Sequence, residues 1–134
     1  HTVETRACPL FVPLVEEGWT SGDVPRLVAA QYLADLPENT DVVVLGCTHY
    51  PLLKDTLRAA LPSSIAIVDG AAATAVELEE LLRARALAAP RDAKATHRFL
   101  VTDAPDQLTR VAPAFLGEPV PASDVELVDV LMTA

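Results

Sequence analysis

The stretch Asp41-Val42-Val43-Val44-Leu45-Gly46-Cys47-Thr48-His49-Tyr50-Pro51 decides the fold. Its first five residues are a β-branched apolar run with no polar alternation, which predicts a strand buried on both faces of a parallel sheet. The run ends in a small-residue turn. A helical pattern then follows over Leu52 to Leu61, with Leu53, Leu57 and Ala60 on one stripe and Pro62 as the stop. Working outward, Ile65-Ala66-Ile67-Val68 repeats the strand signal and Arg98-Phe99-Leu100-Val101 is a third candidate.

Helical patterns separate these runs. Asp23 to Leu36 carries Val24, Leu27, Val28, Tyr32 and Leu36 at near-helical spacing, with Pro25 in a first turn and Pro37 closing the end. Thr74 to Ala88 places Val76, Leu78, Leu81, Leu82 and Leu87 for burial. Its Glu77, Glu79 and Glu80 come early and its Arg83 and Arg85 late, the order that the helix dipole favours. Asp103-Ala104-Pro105 opens a last helix through Phe115, which Pro113 should kink and Gly117 should end. Alternating strands and helices predict an α/β fold with a mainly parallel sheet flanked by helices. Ala89 to Ala95, with Pro90, Arg91, Asp92 and Lys94, is the linker candidate.

The 134 residues are about one domain, and a 51% hydrophobic fraction suffices for a core. The 19 acidic residues against 10 Lys and Arg give a formal charge of -9, which argues against nucleic-acid or anionic-membrane binding. No segment approaches the roughly 18 apolar residues of a membrane span, and no signal-peptide pattern opens the chain, so a cytoplasmic location is expected. The two cysteines are expected to be free thiols in that reducing compartment. Because the chain opens on His1-Thr2-Val3 without an initiator Met, it is expected to be a piece of a longer protein.

Chemistry concentrates at Cys47. Ligands of open α/β sheets bind at the carboxyl ends of strands, where helix starts offer N–H groups and positive potential. Such an address, with an imidazole nearby, lowers a thiol pKa, and His49 is placed to be that partner or a substrate donor. Gly46 allows close approach of a small ligand, while Thr48 offers a hydroxyl and a backbone N–H to a carboxylate. By spacing alone, a lone Cys after an apolar strand is more often a small core residue than a nucleophile or base. A zinc site on Cys47 and His49 would need two further ligands from Cys8, His1 or His97, at spacings that match no zinc motif. Lys54 and Lys94, the only lysines, are poorly placed for a Schiff base. The run from Val76 to Glu80 reads as the solvated face of a helix.

Gly46-Cys47-Thr48-His49-Tyr50-Pro51, taken with Ala7-Cys8-Pro9-Leu10-Phe11-Val12-Pro13-Leu14-Val15-Glu16, resembles the paired signature of the bacterial glutamate racemases, within the aspartate/glutamate racemase superfamily. Val68-Asp69-Gly70 leading to Thr74-Ala75, and His97-Arg98-Phe99 leading to Thr102-Asp103, resemble the later blocks of that family. The likeness covers nearly the whole chain and thins after Gly117.

The resemblance implies the C-terminal half of a pseudo-symmetric two-domain α/β enzyme that interconverts L- and D-glutamate for peptidoglycan synthesis, without metal or pyridoxal cofactor. Two thiols on opposite faces exchange the α-proton, because inversion requires a base and an acid that flank a planar carbanion. Carried over residue by residue, Cys47 matches the catalytic cysteine of the second domain, His49 its assisting histidine, and Thr48 a substrate-binding position. Glu16 matches an acidic position near the active site and either assists or solvates a loop. The other catalytic cysteine of the family lies in a Cys-Asn-Thr segment that this chain lacks, as it lacks the early Asp-Ser-Gly motif. Cys8 is therefore expected to be a packed thiol.

Residues 1–69 are expected to form half of the Cys47-bearing domain and residues 70–134 to return to the other domain. An incomplete sheet or bare apolar surface is expected where the N-terminal half of the enzyme should sit. The expected partners are L- and D-glutamate, that N-terminal half, and a second copy in a homodimer. Another amino acid as substrate, or a non-catalytic regulatory or interaction fragment, are the alternatives.

Overall fold

The computed structural model describes residues 2–129, so His1, weighed above as a zinc ligand, lies outside them. The valine run forms strand β1 (Val42–Leu45), and the second run forms β2 (Ala66–Asp69). They pair in parallel with Val42 opposite Ala66 and Leu45 opposite Asp69. Between them lie a 3-10 turn (Tyr50–Leu53) and helix α3 (Lys54–Ala60), the crossover that a parallel pair needs. Before β1 come α1 (Phe11–Glu16) and α2 (Asp23–Leu33); after β2 comes α4 (Gly70–Ala84). The remainder is β3 (Phe99–Val101), α5 (Pro105–Leu116), a 3-10 turn (Ala122–Asp124) and β4 (Val125–Leu127). β3 and β4 pair in parallel, Phe99 opposite Val125, so each described ladder has two parallel strands. The fold is α/β, as expected.

The chain divides into two compact units between Ala88 and Ala89, at the head of the predicted linker. The division expected at residue 69 concerns which domain of a larger enzyme each part serves.

In the first unit, Phe11, Leu14 and Val15 of α1, Ala29 of α2, Leu45 of β1, Leu57 of α3, Leu53 and Cys8 form one buried cluster. Val43 and Ile67 pack against it, so helices cover one face of the β1–β2 ladder. Phe11 is the hub. Its ring meets Tyr32 edge-on at 5.1 Å and Tyr50 edge-on at 5.3 Å. Three polar ties fix the connections around this core. The Arg6 guanidinium donates to the carbonyls of Tyr32 and Asp35 at the end of α2, where helical carbonyls lack partners. The buried Thr56 hydroxyl donates to the carbonyl of Thr20 at 2.7 Å. Arg58 donates to the carbonyls of Ile65, Leu61 and Pro62, clasping the turn from α3 into β2.

The expectation of a strand buried on both faces is corrected: Val42 is 47% and Val44 65% exposed. These side chains point away from the helical cluster, and Val68 on β2 is exposed with them. Helix α4 has no buried residue, and its Val76, Leu78 and Leu81 are exposed. The bare apolar surface expected for half of a larger enzyme is thus present.

Several boundaries also differ from expectation. α2 ends at Leu33 rather than Leu36, and α4 begins at Gly70, where the Asp69 carboxylate accepts from the Ala71 N–H at 2.9 Å. α4 gives way to a left-handed Ala86, φ 53°, with the Leu87 N–H on the Leu82 carbonyl. α1 was not anticipated, because Pro13 reads as a breaker, although within a first turn its missing N–H costs nothing. β4 was not anticipated either, and its pairing to β3 spans the whole second unit. In that unit α5 starts at Pro105 and ends on Gly117, φ 77°, as predicted, with Pro113 inside the helix.

Candidate active site

Leu45 is the last residue of β1 and is buried, which pins the backbone where Gly46 and Cys47 emerge. The Tyr50 N–H bonds the Cys47 carbonyl at 3.2 Å and the Leu52 N–H bonds the His49 carbonyl at 3.1 Å, so residues 47–52 form a rigid double turn. Cys47 is a free thiol with partial exposure, not sealed in the core. A methyl at Gly46 would meet nothing within 4 Å, so the space beside the Gly46 backbone is open.

One assumption about this turn is corrected. Cys47 does not stand at an α-helix start: a four-residue 3-10 turn follows it, and α3 begins only at Lys54. The field of a long helix is absent at the sulfur, and the group that reaches it is an imidazole.

His49 Nδ1 lies 4.0 Å from the Cys47 Sγ, the long end of a sulfur hydrogen bond, and 3.3 Å from the Thr48 hydroxyl. Its Nε2 lies 3.4 Å from Oε1 of Glu16, the last residue of α1. The structure therefore brings Cys47, Thr48, His49 and Glu16 together, with Gly46 beside them. The chemistry of the ring follows from this order. When Nε2 donates to the carboxylate, the neutral ring presents a lone pair on Nδ1 to the thiol, and the protonated ring presents an N–H to a thiolate. Glu16 thus orients a group that can exchange a proton with sulfur.

Tyr50 carries a part that the sequence did not disclose. Its hydroxyl donates to the Cys8 carbonyl at 3.2 Å, and burial together with the neighbouring thiols Cys8 and Cys47 pushes its phenol pKa up despite that bond. Cys8 itself is 7% exposed within the core cluster, and burial raises its thiol pKa, against a smaller lowering by Arg6. It is a packed thiol. Among the described residues, no three His, Cys, Asp or Glu side chains gather as a metal-binding group, and no helix is long and apolar enough to cross a membrane.

No family model matches the chain. The glutamate racemase of Geobacter metallireducens is 47% identical over 116 residues, which are 86% of this chain and 43% of that protein. The crystal structure of glutamate racemase from Thermus thermophilus in complex with β-chloro-D-alanine superposes with a TM-score of 0.83 at 42% identity, over 93% of this chain and 47% of that one. That of the Francisella tularensis enzyme in complex with D-glutamate gives 0.80 at 32% identity, over 92% and 46%. The chain spans about half the length of the relatives it matches.

Proposed function

Because the chain resembles one half of a glutamate racemase along nearly all of its length, we propose that it is the part of such an enzyme that carries one of two proton-transferring thiols. In this reading Cys47 exchanges the α-proton of glutamate on one face of a planar carbanion. The second thiol comes from the remaining half, in the Cys-Asn-Thr segment that the resemblance implies. His49 takes and returns the Cys47 proton through Nδ1, and Glu16 holds the ring at Nε2. Thr48 and Gly46 bind the substrate carboxylate beside the sulfur. The single observation that carries the reading is the Cys47–His49–Glu16 chain of contacts at the mouth of a parallel strand, on a partly exposed thiol. The D-glutamate in the Francisella relative is consistent with the substrate class.

Residues 1–69 are then half of the Cys47 domain, and residues 70–134 return to the other domain of a pseudo-symmetric pair. The exposed faces of β1, β2 and α4 support this assignment, since they are the surface that the N-terminal half would cover. Supply of D-glutamate for peptidoglycan in the cytoplasm, and a homodimer, complete the reading.

Exchange into solvent tests it. In heavy water the full-length enzyme that contains this chain is expected to place deuterium at Cα of its product, and Cys47→Ser is expected to abolish racemisation. A Cys47→Ser enzyme that racemises at the unaltered rate in both directions would overturn the assignment. The chain alone is expected to turn nothing over, since only one of the two faces is served.

A further inference from the structure

We propose that Tyr50 is the positioning residue of this site: its hydroxyl bond to the Cys8 carbonyl and its edge-on seat against Phe11 latch the Cys47–His49 turn along α1, so that Glu16 can hold the imidazole. The inference rests on the reading of Cys47, His49 and Glu16 as an acid/base relay, and it adds what sets the geometry of that relay.

The turn is attached to α1 at two points. At the start of the helix, Tyr50 is bonded to Cys8, three residues before Phe11, and stacked edge-on against Phe11, whose own side chain is 2% exposed and cannot yield. At the far end, His49 Nε2 faces Glu16 Oε1. Five residues of helix rise about 7.5 Å, so the two attachments are spread over the length of α1 and fix the orientation of the turn as well as its distance. His49 and Tyr50 are adjacent, and the Tyr50 N–H closes the turn on the Cys47 carbonyl, so a shift of Tyr50 is passed to both groups of the relay. The ring pair, not the bond length, sets the two attachments apart. The Tyr50 to Cys8 bond, which at 3.2 Å is long for an O–H···O bond, is backed by the edge-on seat against Phe11, whereas the His49 to Glu16 contact at 3.4 Å and the His49 to sulfur contact at 4.0 Å belong to one partly exposed ring. The titratable and charged groups that face this turn are Glu16, Cys8, Tyr32 and, through Cys8, Arg6.

The test uses the full-length enzyme that contains this chain, with nitrogen-labelled histidine, and reads the two ring resonances of His49 at a pH high enough to keep the ring neutral. His49→Gln assigns the signals. The wild-type ring is expected to show two well-separated nitrogen shifts, the signature of one tautomer held by Glu16. Tyr50→Phe keeps the ring seat and loses only the hydroxyl, and the separation is expected to shrink towards the tautomer average while the circular dichroism stays unchanged. Glu16→Ala, which removes the acceptor, is expected to shrink it as well. If Glu16→Ala shrinks the separation and Tyr50→Phe leaves it as in the wild type, the latch is refuted. It is refuted equally if Tyr50→Phe acts where Glu16→Ala does not, because Tyr50 then works by another route, or if neither variant has an effect. None of these outcomes touches the role of Cys47, which the Cys47→Ser exchange experiment decides separately.

Discussion

Two thiols in one unit stand in opposite environments. Cys8 packs with Phe11 and Leu14, and burial raises its pKa; Cys47 sits at the end of β1 with partial exposure and an imidazole in reach. The buried thiol has a consequence for stability. Its folded pKa stands above the ordinary value of 9.0, so the folded protein keeps its proton when the unfolded chain has begun to lose it. Stability from this source is fully present below that value and falls as pH rises through it towards the folded pKa. Urea unfolding followed from neutral to alkaline pH is expected to show this loss, with a shallower decline in Cys8→Ala, although that variant starts less stable at neutral pH because it leaves a small cavity. An identical alkaline slope in both proteins would exclude Cys8 as the source. The residue scale is also where the sequence was most and least informative. Cys47 and His49 are two apart on a turn, so spacing alone puts them together. Glu16 enters the site only through the family resemblance, and the part of Tyr50 stayed hidden because its partner is a backbone carbonyl 42 residues away.

At the scale of elements, the valine run, the second strand and the last helix could be read from pattern, since apolar continuity and flanking turn residues are local properties. α1 and β4 could not: one is a six-residue helix that owes its existence to core contacts of Phe11, Leu14 and Val15, and the other is a three-residue strand completed by its partner. The end of α4 gives a test of local chemistry. Ala86 adopts φ 53°, a conformation in which a Cβ costs about 1–2 kcal/mol, at the position where helices normally use glycine. Ala86→Gly is expected to stabilise the chain by about 0.5–1 kcal/mol, part of the relief being lost to the greater freedom of glycine in the unfolded state. Chemical unfolding measures it, and a destabilised variant would show that Ala86 is not strained.

Taken whole, the molecule carries an acidic surface and an apolar one that nothing among the described residues covers. The outward face of the β1–β2 ladder shows Val42, Val44 and Val68, and α4 shows Val76, Leu78 and Leu81. Apolar exposure of this kind marks a surface built for contact. Leu78→Glu with Leu81→Glu is expected to reduce binding of a hydrophobic dye and any self-association of the chain, at a stability change within about 0.5 kcal/mol, because both side chains are already in water. Unchanged dye binding would place the sticky surface elsewhere. That bareness was readable in advance only from the family resemblance, since a valine run does not announce which of its faces will be covered. A last consequence follows from the order of β1 and β2 along the polypeptide. Glu16, Cys47 and His49 all precede the second strand, and both strands precede the division after Ala88. On a translating ribosome these three side chains and the ladder beside them can therefore come together while the following segment is still in the exit tunnel.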